Sequence, residues 1–493
     1  MDNSLLKAVF PVLTKITFLR HYKPMASYIE PRILKGFRDF LPPAEITRRD
    51  LLEKIEASFR SFGFLPIDTP ALEYAEILLG KGGGETEKQI YRFKDNGDRD
   101  VALRFDLTVP FARFIAQYRG ELTLPFKRYH IAKVWRGENT QRGRYREFTQ
   151  CDFDIVGSDS PAADFEILLI IRNTLRAIGV DVTIKLNHRG LFNRFLNKLG
   201  AVEKSVEILR TVDKLAKIGQ DETHKLLTEI AGGEAATKIL EYTGSKGGFE
   251  EILAAITTLS GGESPESRRL KILRNYMLDS GTEASFELDP SITRGLDYYT
   301  GIVYETFLKD DPAIGSVCSG GRYDNLAGLY LKPQAATDSI SGVGSSIGLD
   351  RLIAALESLG KLTPRPSYAE LIIACIKEED AGAYQALAGK FREAGIPCEV
   401  LLEAAGSIGT STEPNRRGSP PEGKQLTKQF MLAEKKGARW IIIPGENPLK
   451  DPLTLRELKS RQNREGLTVD QVIAVLEKNP HSGKISDPVP PRF

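Results

Sequence analysis

The chain has 493 residues, 41% hydrophobic and 27% charged, and its 68 Lys+Arg against 66 Asp+Glu leave a formal net charge of +2. That length suits about three domains of roughly 100–200 residues each. The near-balance of charge excludes a strongly basic scaffold protein but leaves room for local basic faces that hold phosphates.

The N-terminal stretch, residues 1–29, carries Lys7, Lys15, Arg20 and Lys23 among apolar residues. It reads as an appended helix, as a weak organelle-targeting segment, or as sequence preceding a true start at Met25. Pro11 breaks the apolar run Ala8–Leu13, which disfavours a secretory signal. No run approaches the ~18 apolar residues that span a bilayer, so no membrane partner is expected. Cys151, Cys318, Cys375 and Cys398 form no CxxC pair, which argues against a zinc or redox motif and for reduced intracellular thiols.

Residues 30–194 open with a helical pattern over Ala44–Phe62, in which Leu51, Leu52, Ile55, Phe59 and Phe62 fall at helical spacing. Gly63 ends it, and the strand-like Phe64–Ile67 follows. The apolar runs Val101–Phe105, Arg128–Trp135 and Phe148–Val156, parted by Gly- and charge-rich loops, predict an antiparallel sheet with flanking helices. Residues 195–284 change texture: Val202–Lys217 and Lys225–Glu241 have helical spacing, which predicts a helical insertion. Residues 285–362 return to strands, Gly-rich turns and a final helix, so one α+β domain split by an insert is the simplest architecture. Beyond the linker at Pro364–Pro366, residues 367–478 alternate strand Leu371–Ile376, helix Asp380–Ala394, strand Cys398–Leu402, helix Gly423–Lys436 and strand Trp440–Pro444. That pattern predicts an α/β domain with a largely parallel sheet. Ala405–Gly423 reads as a flexible loop, and residues 479–493 as a Pro-rich tail.

Five stretches carry polar groups in patterns that suit chemistry. In Lys127–Gly157 a hairpin is expected, with Arg136 near the end of its first strand and Glu138, Arg142, Arg144 and Arg146 in its loop. On the second strand, period-two alternation puts Gln150, Asp152 and Asp154 on one face. Arg136 can aim a planar fork of donors at a phosphate; the plainer alternative is a charged surface hairpin. Asp106 and Thr108, two apart among apolar residues, could bind an ammonium group, or Asp106 could cap a helix over Val109–Tyr118. Arg294 with Tyr298 and Tyr299 suits a small polar ligand with a ring, or else forms a turn and core tyrosines. The paired glycines of Ser319–Asn325, with Tyr323, allow backbone to approach a ligand or make a tight hairpin turn. In Gly342–Leu356 small residues give way to a helix bearing Asp350 and Arg351, a weak nucleotide signal by itself.

Together these stretches resemble class II aminoacyl-tRNA synthetases, specifically the histidyl-tRNA synthetase family. Arg128–Gly157 resembles motif 2, and Gly348–Arg351 resembles motif 3. RGLDYY (Arg294–Tyr299) and GGRYD (Gly320–Asp324) resemble the two histidine motifs, while Pro70 within Phe64–Leu72 fits motif 1 at a dimer interface. The resemblance implies that the chain is a cytoplasmic, homodimeric ligase that uses ATP and Mg²⁺, activates L-histidine and loads it onto tRNA(His). By the same resemblance, Asp106, Thr108 and Gln150 would hold the ammonium group, and Asp154 and Tyr299 would pair with the imidazole. Tyr298 and Tyr323 would line the pocket, Arg136 and Arg294 would be catalytic, and Arg136, Glu138 and Arg351 would bind ATP. Arg142 and Arg144 would meet the tRNA acceptor end, and no protein-only metal site is implied. Residues 367–478 resemble the family's anticodon-binding domain, with Thr454–Gln462 matching its C-terminal motif. Two other readings share this fold: a catalytically silent regulatory paralogue of histidine biosynthesis, and a non-catalytic tRNA-binding sensor.

Overall fold

Helix α1 (Pro42–Ser61) begins on prolines, whose missing N–H groups cost nothing in a first helical turn, and buries Ile46, Leu51, Ile55 and Phe59. Gly63 then takes a φ of +76°, the left-handed region a helix end favours, and turns the chain into the first strand. The computed structural model describes residues 28–80, 87, 89–292, 298–324, 326–331, 340–403 and 422–478. Residues 1–27 of the expected targeting segment, nearly all of the Ala405–Gly423 loop, the tail from 479, and Arg294 with its neighbours 293–297 therefore lie outside the described residues. The chain divides into two units, Met1–Arg38 and Asp39–Phe493. Within the described part of the first, Phe37 N–H donates to Leu34 O at 3.0 Å in a turn at Gly36.

In the second unit the elements follow as β1 (Leu65–Pro66), β2 (Leu72–Tyr74), α2 (Ala75–Leu79), β3 (Arg92–Lys94), β4 (Asp100–Leu103) and α3 (Thr108–Tyr118). Next come β5 (Phe126–Trp135), β6 (Glu147–Val156), α4 (Pro161–Ala177) and β7 (Val182–His188). A run of helices intervenes: α5 (Arg189–Lys198), α6 (Ser205–Val212), α7 (Leu215–Ile218), α8 (Gln220–Ala231), α9 (Gly233–Thr243), α10 (Phe249–Leu259) and α11 (Pro265–Asp279). Then β8 (Phe286–Leu288), β9 (Ile302–Leu308), β10 (Cys318–Tyr323), β11 (Gly342–Gly348) and α12 (Leu349–Ser358) complete the part around the main sheet.

The eight-stranded sheet has the order β1-β5-β6-β11-β10-β9-β7-β8. Its inner pairings are antiparallel, as the alternating apolar runs predict, and only the two short edge strands pair in parallel. Helices α1 and α4 lie against one face, where Ile55, Phe59, Ile167, Ile171, Phe153 and Ile184 form a fully buried core. The helices of residues 189–279 share this core through Leu191, Ile239 and Leu270. The helical spacing of Lys225–Glu241 is carried by two helices, α8 and α9, which part at Gly232, whose φ of +88° no helix interior can hold.

The C-terminal sheet comprises β12 (Leu371–Ile373), β13 (Cys398–Val400), β14 (Trp440–Ile443), β15 (Leu453–Glu457) and β16 (Gln462–Leu467), with α13 (Ala381–Glu393), α14 (Glu422–Lys435) and α15 (Val469–Lys478). Its order is β13-β12-β14-β15-β16. The first three strands are parallel, but β15 and β16 run antiparallel, so the sheet is mixed rather than largely parallel. Strand β16 is polar and almost wholly exposed, and so has no hydrophobic periodicity to announce it. The linker is tied back to α1 where Arg365 donates to Asp50 at 3.2 Å.

Candidate active site

Alternation along β6 turns Cys151, Phe153 and Ile155 into the apolar core and puts Gln150, Asp152 and Asp154 together on the opposite face. All three polar residues are buried, Asp152 and Asp154 almost completely. The neighbouring strands complete this face in register: Arg128 and His130 of β5 lie opposite Asp154 and Asp152, and Ser346 of β11 lies opposite Asp152.

Asp154 is held from two sides. Tyr323 donates its hydroxyl to Asp154 Oδ1 at 2.6 Å, and the Arg128 guanidinium lies 2.7 Å from Oδ2. Arg128 itself sits 4.1 Å over the Phe111 ring. Burial pushes the Asp154 carboxyl up, while Arg128 and the Tyr323 bond pull it back. Asp152 feels the same burial with fewer partners and is pushed up to about 7.

Asp106 bonds to the start of α3 through one carboxylate oxygen and leaves the other without a protein donor among the described residues. Oδ1 accepts from Val109 N–H at 3.1 Å and so caps α3, while Oδ2 is the buried oxygen without a partner. Thr108 opens the helix rather than extending a strand. Burial raises the Asp106 carboxyl to about 6, with Arg136 and Arg128 opposing. Tyr298 packs edge-on against Tyr299 at 4.9 Å and against Tyr323 at 6.0 Å between centroids. Asp106, Thr108, Gln150, Asp154, Tyr298, Tyr299 and Tyr323 thus line one region, although they come from four separate stretches of chain.

The predicted cationic residues have protein partners of their own. Arg136 donates from Nε to Phe105 O at 2.9 Å and lies 5.2 Å over the Phe148 ring, which fixes its guanidinium plane. In the hairpin loop, Arg144 lies 3.5 Å from Glu138, and Arg142 donates to Ala354 O on α12 at 3.3 Å. Arg351 donates to Ser316 O at 2.7 Å, and Asp350 accepts from Thr149 N–H at 2.7 Å, locking α12 to β6. Arg294 lies outside the described residues. Among the described residues there is no cluster of three or more His, Cys, Asp or Glu placed to hold a metal ion, and no helix long and apolar enough to cross a membrane.

One reading of the glycines needs correction. Gly320 and Gly321 sit inside β10, not in a hairpin turn. A Cβ on Gly320 would fall 2.1 Å from Gly344 O, so the glycine lets strands and Tyr304 close up. The small residues before α12 form β11. Sequence reasoning also missed Arg128 as part of the site; its alternation with His130, opposite an acidic strand, was the available signal. It missed a buried ion cluster too. Arg322 donates through Nε and Nη2 to Asp164 Oδ1 at 2.9 and 2.6 Å, and Arg269 of α11 donates to Asp164 Oδ2 at 2.6 Å. The signal there was a lone carboxylate inside the apolar stripe of α4.

Comparison with known proteins bears on this arrangement. A family profile described as histidyl-tRNA synthetase matches residues 36–352. The histidine–tRNA ligase of Treponema denticola is 52% identical over 85% of this chain and 90% of its own length. That of Rhodopirellula baltica is 46% identical over 85% of this chain and 91% of its own length. Among solved structures, the histidyl-tRNA synthetase of Nostoc sp. PCC 7120 is 30% identical and superposes with a TM-score of 0.77, covering 92% of this chain and all of that one.

Proposed function

The chain belongs to the histidyl-tRNA synthetase family, and from that premise we infer how its buried acceptor face serves the ligation of histidine to tRNA. The activity has two steps. An oxygen of the histidine carboxylate attacks the α-phosphorus of ATP and expels pyrophosphate. The terminal ribose hydroxyl of tRNA then attacks the adenylate carbonyl and releases AMP.

Neither step needs a protein nucleophile, so the work is positioning and charge stabilisation. The single observation that carries our assignment is the pair of buried acceptors with no hydrogen-bond partner among the described residues, Asp106 Oδ2 and Gln150 Oε1, the latter on one face of β6 with Asp154. Histidine offers an ammonium group and ring N–H donors that match them. We assign Asp106, Thr108 and Gln150 to the ammonium group, and Asp154 with Tyr299 to the ring. Tyr298 and Tyr323 form the walls. A ligand without those N–H groups would leave the acceptors unpaired, at about 1–3 kcal/mol each. Arg136 and Arg294 are assigned to the reacting phosphate, Glu138 and Arg351 to the rest of ATP, and Arg142 and Arg144 to the tRNA end, with salt-sensitive contacts. Mg²⁺ arrives as part of the ATP substrate and neutralises its phosphates. Residues 367–478 are assigned to the anticodon.

A homodimer acting in the cytoplasm belongs to the same reading. Exposed Leu65, Leu72, Tyr74 and Phe93 near β1–β3 support the dimer, because a partner would cover them. The silent-paralogue alternative is not favoured, since close relatives over most of the chain are histidine–tRNA ligases. The deciding experiment is histidine-dependent ATP–pyrophosphate exchange by the purified protein. No exchange with histidine and Mg²⁺ present would remove the reading.

A further inference from the structure

Asp154, the carboxylate assigned to the imidazole ring, shares its place with a cation. The antiparallel register of β5 and β6 sets Arg128 directly across from it, and the guanidinium lies 2.7 Å from Oδ2. Arg128 is 0% exposed, and the buried Phe111 ring covers its guanidinium at 4.1 Å. Arginine stays charged even when buried. A permanent cation is thus sealed beside the group that meets the substrate's ring.

The first consequence concerns charge. With Asp154 ionised the pair sums to zero, and with Asp154 protonated it sums to +1, so neither state attracts a cation. The groups facing the pair leave this balance in place at mildly acid pH. Asp152 on β6 is pushed up to about 7 by burial and is largely protonated at pH 6. Asp106 is answered by the substrate's own ammonium group, with Arg136 nearby as a further cation. On β5, burial together with Arg128 and Arg104 holds His130 down at about 4, so it is neutral. Burial raises the phenols of Tyr298, Tyr299 and Tyr323, which therefore stay uncharged.

The second consequence concerns hydrogen bonds. Asp154 Oδ2 and Arg128 Nε, Nη1 and Nη2 are all buried without a hydrogen-bond partner among the described residues. The ion pair is close but undirected, and it leaves an acceptor and a set of donors side by side. A neutral imidazole has one N–H to give and one bare nitrogen to receive, whereas an imidazolium has two N–H groups and no acceptor. The second N–H of an imidazolium would face guanidinium donors.

We propose that Arg128 is a specificity-determining residue that makes the pocket take the imidazole ring in its neutral form and reject a cationic ring. This rests on the assignment of Asp154 to the ring. Without Arg128 the same carboxylate is a buried anion lacking its cation. An imidazole, whose ordinary pKa lies about 2.5 above that of a carboxylate, would then hold a proton against it.

The test reads the ring directly, by solid-state NMR of ring-¹⁵N-labelled histidine bound at saturation to the full-length protein. On wild type at pH 6 the ring should show one protonated and one bare nitrogen. Its bound pKa should lie at least about one pH unit below the free value of about 6.5. On Arg128→Met and Arg128→Gln both nitrogens should be protonated at pH 6, with the bound pKa above the free value. Arg128→Lys, which keeps the charge, should hold the ring neutral. A charged ring on wild type would overturn the proposal, as would a neutral ring on either uncharged variant. If neither uncharged variant folds, the wild-type titration decides, and a bound pKa at or above the free value overturns the proposal. If wild type takes up no labelled histidine at all, it is the assignment of the pocket that fails instead.

Discussion

Gly344 faces Asp154 so closely that a Cβ on the glycine would lie 1.8 Å from Asp154 Oδ1. The carboxylate therefore occupies space that any side chain at 344 would claim, and β11 can pass Asp154 only as bare backbone.

Gly344→Ala should displace Asp154 from Tyr323 and Arg128. Overpacking of this kind costs about 1–3 kcal/mol. The expected outcome is a lower denaturation midpoint together with at least a ten-fold rise in the KM for histidine in the exchange assay. Wild-type kinetics in this variant would show that Asp154 does not read the substrate.

Tyr323→Phe keeps the ring against Tyr298 and removes the hydroxyl that donates to Asp154 Oδ1 at 2.6 Å. Losing a buried hydrogen bond to a charged acceptor costs about 1–3 kcal/mol. Steady-state exchange should show that loss in the KM for histidine, with the KM for ATP almost unchanged. A loss confined to ATP would reassign the tyrosine.

Asp152 gives a pH-dependent stability difference whose sign is fixed. Its folded-state value, about 7, lies above the ordinary carboxylate value because burial penalises the charge. A raised acid costs stability when ionised, so the cost is fully present above pH 7 and is lost as pH falls toward the unfolded value of about 4. Chemical denaturation of wild type and Asp152→Asn at pH 8 and pH 5 should show the variant gaining relative stability at pH 8 and losing most of that gain at pH 5. A difference independent of pH would mean that Asp152 is not buried in its charged form.

Asp164→Ala should be the most destabilising of these changes. It leaves Arg322, itself buried, without the carboxylate that satisfies Nε and Nη2, and frees Arg269 of α11. Breaking a buried pair from one side costs about 3–5 kcal/mol. Urea denaturation followed by circular dichroism would measure it, and a change under 1 kcal/mol would contradict the cluster's structural weight.

Much of the sheet was legible because its strands repeat with period two against one core, as β5 and β6 do. Face-sharing by Gln150, Asp152 and Asp154 followed from the same rule. What periodicity could not supply was the meeting of β6 with β11 and of β11 with β10. No local pattern states that Ser346 lies opposite Asp152, or that Gly320 must admit Gly344 O. Polar β16 was invisible for the opposite reason, having no buried face. The family resemblance bridged the gap for the site residues, since it supplied long-range neighbours that local spacing lacks. It did not supply Arg128, Ser346 or Asp164.

The parallel pairing of β7 with β8 has a consequence for the order of assembly. The chain leaves the sheet at His188, passes through every helix from α5 to α11, and returns beside the strand it left at Phe286. The β8 edge therefore depends on closing a very long loop, whose entropic cost grows with its length and is incurred before the pairing is gained. The antiparallel hairpin of β5 and β6, joined by a short loop, faces no such delay. During synthesis the acceptor face of β6 can thus form early, while the far edge of the sheet waits for the helices to gather.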